Sequence, residues 1–94
     1  MHGVVVQVKI DASREAEARA MLASTIVPSM KGQAGFKRGT WLRALEGDGG
    51  MSVMLFDTEA QARATADQVR ADAPPPGAPT VQVSVGVYEI AAEA

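Results

Sequence analysis

The sequence predicts a single α+β domain in which strands and helices alternate in the order βαββαβ. Three observations carry that prediction. Apolar, largely β-branched or aromatic runs at 4–10, 36–45, 51–56 and 81–90 have the length and composition of strands. Two segments rich in Ala, Glu, Gln and Arg, 14–26 and 59–71, consist of strong helix formers and follow the first and third runs. The acidic, Gly-rich break Glu46-Gly47-Asp48-Gly49-Gly50 joins the second and third runs as a hairpin connection. A partial repeat agrees with two βαβ halves: Glu15-Ala16-Glu17-Ala18-Arg19-Ala20 recurs almost intact as Glu59-Ala60-Gln61-Ala62-Arg63-Ala64.

In chain order, Val4 to Ile10 has one wholly apolar row (Val4, Val6, Val8, Ile10) and one mixed row, as a central strand should. Asp11-Ala12-Ser13 offers N-caps, and Glu15 and Glu17 then lie near the positive end of a helix dipole. The first helix carries Ala18, Met21, Leu22, Thr25 and Ile26 at helical spacing, and Pro28 is expected to bend or end it, with one further turn at Ser29-Met30-Lys31. Phe36 to Leu45 reads as a charged edge strand, with Lys37, Gly39, Trp41 and Arg43 on one face and Arg38, Thr40 and Leu42 on the other. Met51 to Phe56 is apolar on both rows and reads as buried on both faces. Thr58-Glu59-Ala60-Gln61 fits a capping box opening the second helix. The segment APPPGAP, 73–79, reads as an extended loop, and Val81 to Ile90 as the last strand, with a frayed tail after it.

The order βαββαβ is that of the ferredoxin-like split βαβ fold: a four-stranded antiparallel sheet with both helices on one face. The apolar rows Val4-Val6-Val8-Ile10, Val53-Leu55 and Val81-Val83-Val85-Val87 are expected to face the helices. The other face then presents Gln7, Trp41, Met54, Phe56, Ser84 and Tyr88, with Val5, Lys9 and Gly86. That apolar patch needs a cover, and the economical cover is a second copy of the chain, sheet against sheet, which predicts a homodimer around a mixed polar and aromatic cavity.

With 94 residues and a formal net charge of −2, the chain forms one core and has no net-positive character for nucleic acid or an anionic membrane. It has no cysteine, and its only histidine, His2, is terminal, so disulfides, thiolate sites, a His-based triad and a metal cluster are all excluded. No apolar run reaches spanning length and the N-terminus has no signal-peptide layout, so the expected location is the cytoplasm.

This arrangement, together with GFKRGTWLRAL, the Gly/Asp turn and SVMLFDTEAQARA, resembles the dimeric α/β-barrel superfamily over nearly the whole chain, 1–94, and within it the antibiotic-biosynthesis-monooxygenase-like domains. The resemblance implies a range of functions: cofactor-independent oxygenases of polyketide quinols, heme-degrading enzymes, isomerases and proteins without known activity. The heme-degrading members are implied to use an Asn on the first strand and a Trp and a His associated with the second helix. Here Gln7 stands at the first of these places, and the second helix has neither Trp nor His.

The candidate ligand-binding residues are Gln7, Trp41, Arg43, Met54, Phe56, Ser84 and Tyr88; no catalytic residue, metal or cofactor is assigned. Trp41 could stack on a flat ligand or pack in a dimer seam. Arg14, Arg19, Arg63 and Arg70 alternate with acids and read as a solvated face. The primary expectation is a homodimer holding a small hydrophobic or aromatic molecule between its sheets. One alternative is a cofactor-independent monooxygenase of an aromatic or quinol substrate, positioned by Trp41, Gln7, Tyr88 and Arg43. The other is a purely structural dimer without ligand.

Overall fold

A computed structural model describes all residues, 1–94. Strands β1 (His2–Ile10), β2 (Phe36–Arg43), β3 (Gly49–Phe56) and β4 (Thr80–Glu89) form one antiparallel sheet in the order β2-β3-β1-β4. This is the predicted ferredoxin-like arrangement, with β2 at an edge. The hairpin connection is one step earlier than the glycines suggest. Gly49 and Gly50 belong to β3, while Gly47, at φ 83°, makes the turn.

The first helix runs through Glu15–Met21, a π-helical turn Leu22–Ile26, and Val27–Lys31. Pro28 was expected to bend or end it and does not end it. Its ring removes the amide that would bond Ser24 and crowds that carbonyl, and the wider π turn just before it accommodates both. The second helix, Glu59–Ala71, opens with the predicted capping box: the Gln61 amide donates to Thr58 Oγ1 at 3.2 Å, and the Thr58 amide donates to Gln61 Oε1 at 3.2 Å. Thr58→Ala should therefore lower stability by about 1 kcal/mol, read as a shifted midpoint in urea titration.

The proline-rich loop is tied to the start of the first helix. The Asp11 amide donates to Pro79 O at 2.9 Å, and the Arg14 guanidinium donates to Gly77 O. These two bonds strap the loop across the β1–helix junction, and Gly77, at φ 87°, supplies the left-handed turn within it.

The core lies between the sheet and the helices. It comprises Val4, Val6, Met30, Met54, Phe56, Ala62 and Ala66, with Phe36, Trp41, Val85 and Val87 packed on its rim. This corrects the expected facing of two strands. In β3, Met54 and Phe56 point to the helices and Val53 and Leu55 point away. Both rows of β3 are apolar, so alternation alone gives no phase. Pairing of Val4 with Met54 sets it, and the small Ala62 and Ala66 leave room for the large Met54 and Phe56 side chains beneath them. In β2, Trp41 pairs with Ser52 and so also points inward; Gly39 leaves the space that its ring occupies. Arg43 lies on the same side, its Nε 2.9 Å from Glu15 Oε1 on the first helix.

The second correction is in β4. Its register slips between Gln7 and Val8 of β1: Gln7 pairs with Ser84 but Val8 pairs with Gln82, leaving Val83 as an extra residue. This β-bulge reverses the facing of the first half of the strand. Val85 and Val87 join the core as expected, whereas Val81 and Val83 turn outward and Gln82 turns inward, donating to Val69 O at 3.2 Å.

Candidate functional site

The sheet face turned away from the helices carries the most exposed large apolar side chains of the strands: Val81 at 63%, Val83 at 54%, Leu42 at 51% and Tyr88 at 56%. Near the β2–β3 hairpin this face sinks into an open cleft of about 440 Å³, walled chiefly by Gln7, Lys9, Leu42, Met51 and Val83. Each strand contributes for a local reason. Gln7 and Lys9 are alternate residues of β1, Leu42 and Met51 are cross-strand partners, and the bulge delivers Val83. Gly49 pairs with Lys9, and a Cβ placed on it would meet nothing nearer than Ala44 Cβ at 3.8 Å. The absence of that side chain is part of what makes the hollow.

The candidate residues are divided by the sheet. Gln7 lines the cleft; Ser84 is its partner across β4, exposed on the same face; Tyr88 lies further along that face, over Gly86, which has no side chain to displace its ring. Trp41, Met54 and Phe56 sit on the helix side, as does the guanidinium of Arg43 where it meets Glu15, although Arg43 also borders the cleft. The set Trp41, Gln7, Tyr88 and Arg43 therefore does not converge on one cavity. Leu42, Met51 and Val83 were not among the candidates. Leu42 and Met51 follow from the inward phase of β3, but a bulge has no mark in an apolar, β-branched strand.

The electrostatics of the cleft are simple. Lys9 Nζ has no carboxylate within ion-pair distance, whereas six Lys or Arg side chains elsewhere in the molecule are paired with Asp or Glu. The groups with displaced pKa lie at the surface near the helices. Ser13 holds the Asp11 carboxyl below its usual range by hydrogen bonding, Arg14 does so for Glu17, and Arg63 for Glu59; the Glu17 carboxylate in turn raises Arg14. No group of three His, Asp or Glu side chains is placed to hold a metal ion.

Heme ligation does not fit the residues present. The second helix presents Ala62, Thr65 and Ala66 inward, all buried, and the hollow on the helix side beside Glu15 and Arg43 is only about 40 Å³. The only imidazole, on His2, has Nε2 3.8 Å from Glu59 Oε1, and its Nδ1 is buried without a partner.

No family model and no curated protein matches the chain. Two solved structures do. The heme-degrader MhuD from Mycobacterium tuberculosis, with two hemes bound in its active site, superposes with a TM-score of 0.76 at 14% identity, covering 100% of this chain and 99% of MhuD. A mutant of MhuD with two manganese protoporphyrin IX molecules per active site gives a TM-score of 0.72 at 16% identity, covering 100% and 98%. The likeness is one of backbone, end to end, and it is a likeness of fold: the ferredoxin-like βαββαβ arrangement described above.

Proposed function

We propose that the chain works as a homodimer, joined through the open sheet faces, that holds a small apolar or aromatic molecule in the cleft between them. The observation that carries this is the apolar open face itself: Val81, Val83 and Leu42 are more than half exposed around a concavity, a combination that soluble monomers seldom leave uncovered. Binding of flat macrocycles by MhuD, which shares the fold, supports a ligand of this general character. The cleft offers apolar walls with one amide and one ammonium, which suit binding and orientation. An oxygenase acting through Trp41, Arg43, Gln7 and Tyr88 together is not favoured, because the sheet separates the first two from the others.

Sedimentation equilibrium tests the assembly. The native chain is expected at about twice its 9.8 kDa mass. Val83→Asp, which places a charge among the exposed apolar side chains of that face, should weaken self-association at least about 100-fold, since an unpaired buried charge costs several kcal/mol. A native chain that stays monomeric at high micromolar concentration would overturn the proposal.

A further inference from the structure

We infer that the ligand of the open-face cleft is an amphipathic monoanion, an aromatic or aliphatic body bearing one carboxylate, with Lys9 as its counter-ion. The inference rests on the proposed dimer and adds the chemical class of what it holds. Its basis is a charge imbalance. The open face carries two cations, Lys9 on β1 and Arg38 on β2, and neither is in an ion pair.

The strands put no Asp or Glu on that face. The only acidic residue in them, Glu89, pairs with His2 and so lies on the helix side. In a two-fold dimer joined through these faces the partner's strands bring no carboxylate either, because they present the same face and the same deficit. Asp48, in the hairpin turn, borders the cleft but is exposed and outside ion-pair distance of Lys9.

An ammonium covered by a second subunit without a counter-charge is strongly disfavoured, so the missing carboxylate is supplied by the ligand. The remaining lining fits the rest of such a molecule. Leu42, Met51 and Val83 give apolar contact to its body, the Gln7 amide can donate to the second carboxylate oxygen, and the space above Gly49 receives the head group beside Lys9.

Titration calorimetry on the native dimer with 2-naphthoate and its neutral near-isostere 2-naphthamide tests this. Naphthoate should bind about tenfold more tightly, equivalent to about 1.4 kcal/mol. Lys9→Met should abolish the preference while leaving the amide affinity unchanged. Gly49→Leu, at a position with no positive φ, should fill the hollow and lose both compounds with the dimer mass intact. Equal affinity for the two compounds in the native protein would overturn the anion inference and leave the cavity proposal standing. A preference that survives Lys9→Met, or naphthoate binding that survives Gly49→Leu, would overturn the assignment to Lys9 and this cleft. Binding of neither compound by an intact dimer would overturn the ligand proposal and this inference with it.

Discussion

Phe56→Ala should lower the free energy of unfolding by about 3–5 kcal/mol. Phe56 is fully buried at the end of β3, and its ring meets Phe36 edge-on at 5.9 Å between centroids and 74° between planes. Its neighbours across the core include Ala62 and Ala66, which have no bulk with which to close a cavity. The loss therefore combines the transfer term, the residual void and the edge-to-face pair, the last worth about 0.5–1.5 kcal/mol beyond area. For a domain whose whole stability is about 5–15 kcal/mol, that is a large fraction. Urea titration at low temperature should show a much lower midpoint with little change in slope. A loss below about 1 kcal/mol would contradict the inward phase of β3.

Gly35→Ala should cost about 2–4 kcal/mol, from two sources of about 1–2 each. Gly35 sits at φ 76°, where a side chain is strained, and its missing Cβ is the space occupied by the Gln61 carboxamide. That carboxamide caps the second helix, and Gly35 O accepts from the Asp57 amide at 3.1 Å, so loop, strand end and helix start meet at one residue. A double-mutant cycle separates the sources. In a Gln61→Ala background the steric part should vanish while the backbone strain stays, giving a coupling energy of about 1 kcal/mol. Strict additivity of the two substitutions would show that the carboxamide moves aside without cost.

The order of elements, the edge position of β2 and the capping box at Thr58 were all legible, because each rests on a local signal: a run of β-branched residues, a cluster of charges, a hydroxyl three residues before a glutamine. The facing of side chains was legible only where the two rows of a strand differ. Val4 and Val6 were placed correctly for that reason, while Met54 and Phe56 were reversed because Val53 and Leu55 are just as apolar. Trp41 was misplaced with them, since its direction is fixed by pairing with Ser52, a long-range fact. The cleft was half legible. Gln7 could be taken from alternation in β1, but Val83 reaches the cleft only through an insertion in β4 that leaves the composition of the strand unchanged.

That insertion lets one strand serve two masters. Without the extra residue, every change that suits the outer surface at 81 or 83 would be a change in the interior row that also holds Val85 and Val87. With it, the two halves of β4 answer to different constraints, the C-terminal half to the hydrophobic interior and the N-terminal half to whatever meets the outer surface. Positions 81 and 83 can thus vary to suit a new occupant without touching the residues that keep the domain folded, a freedom that a regular strand of the same sequence would lack.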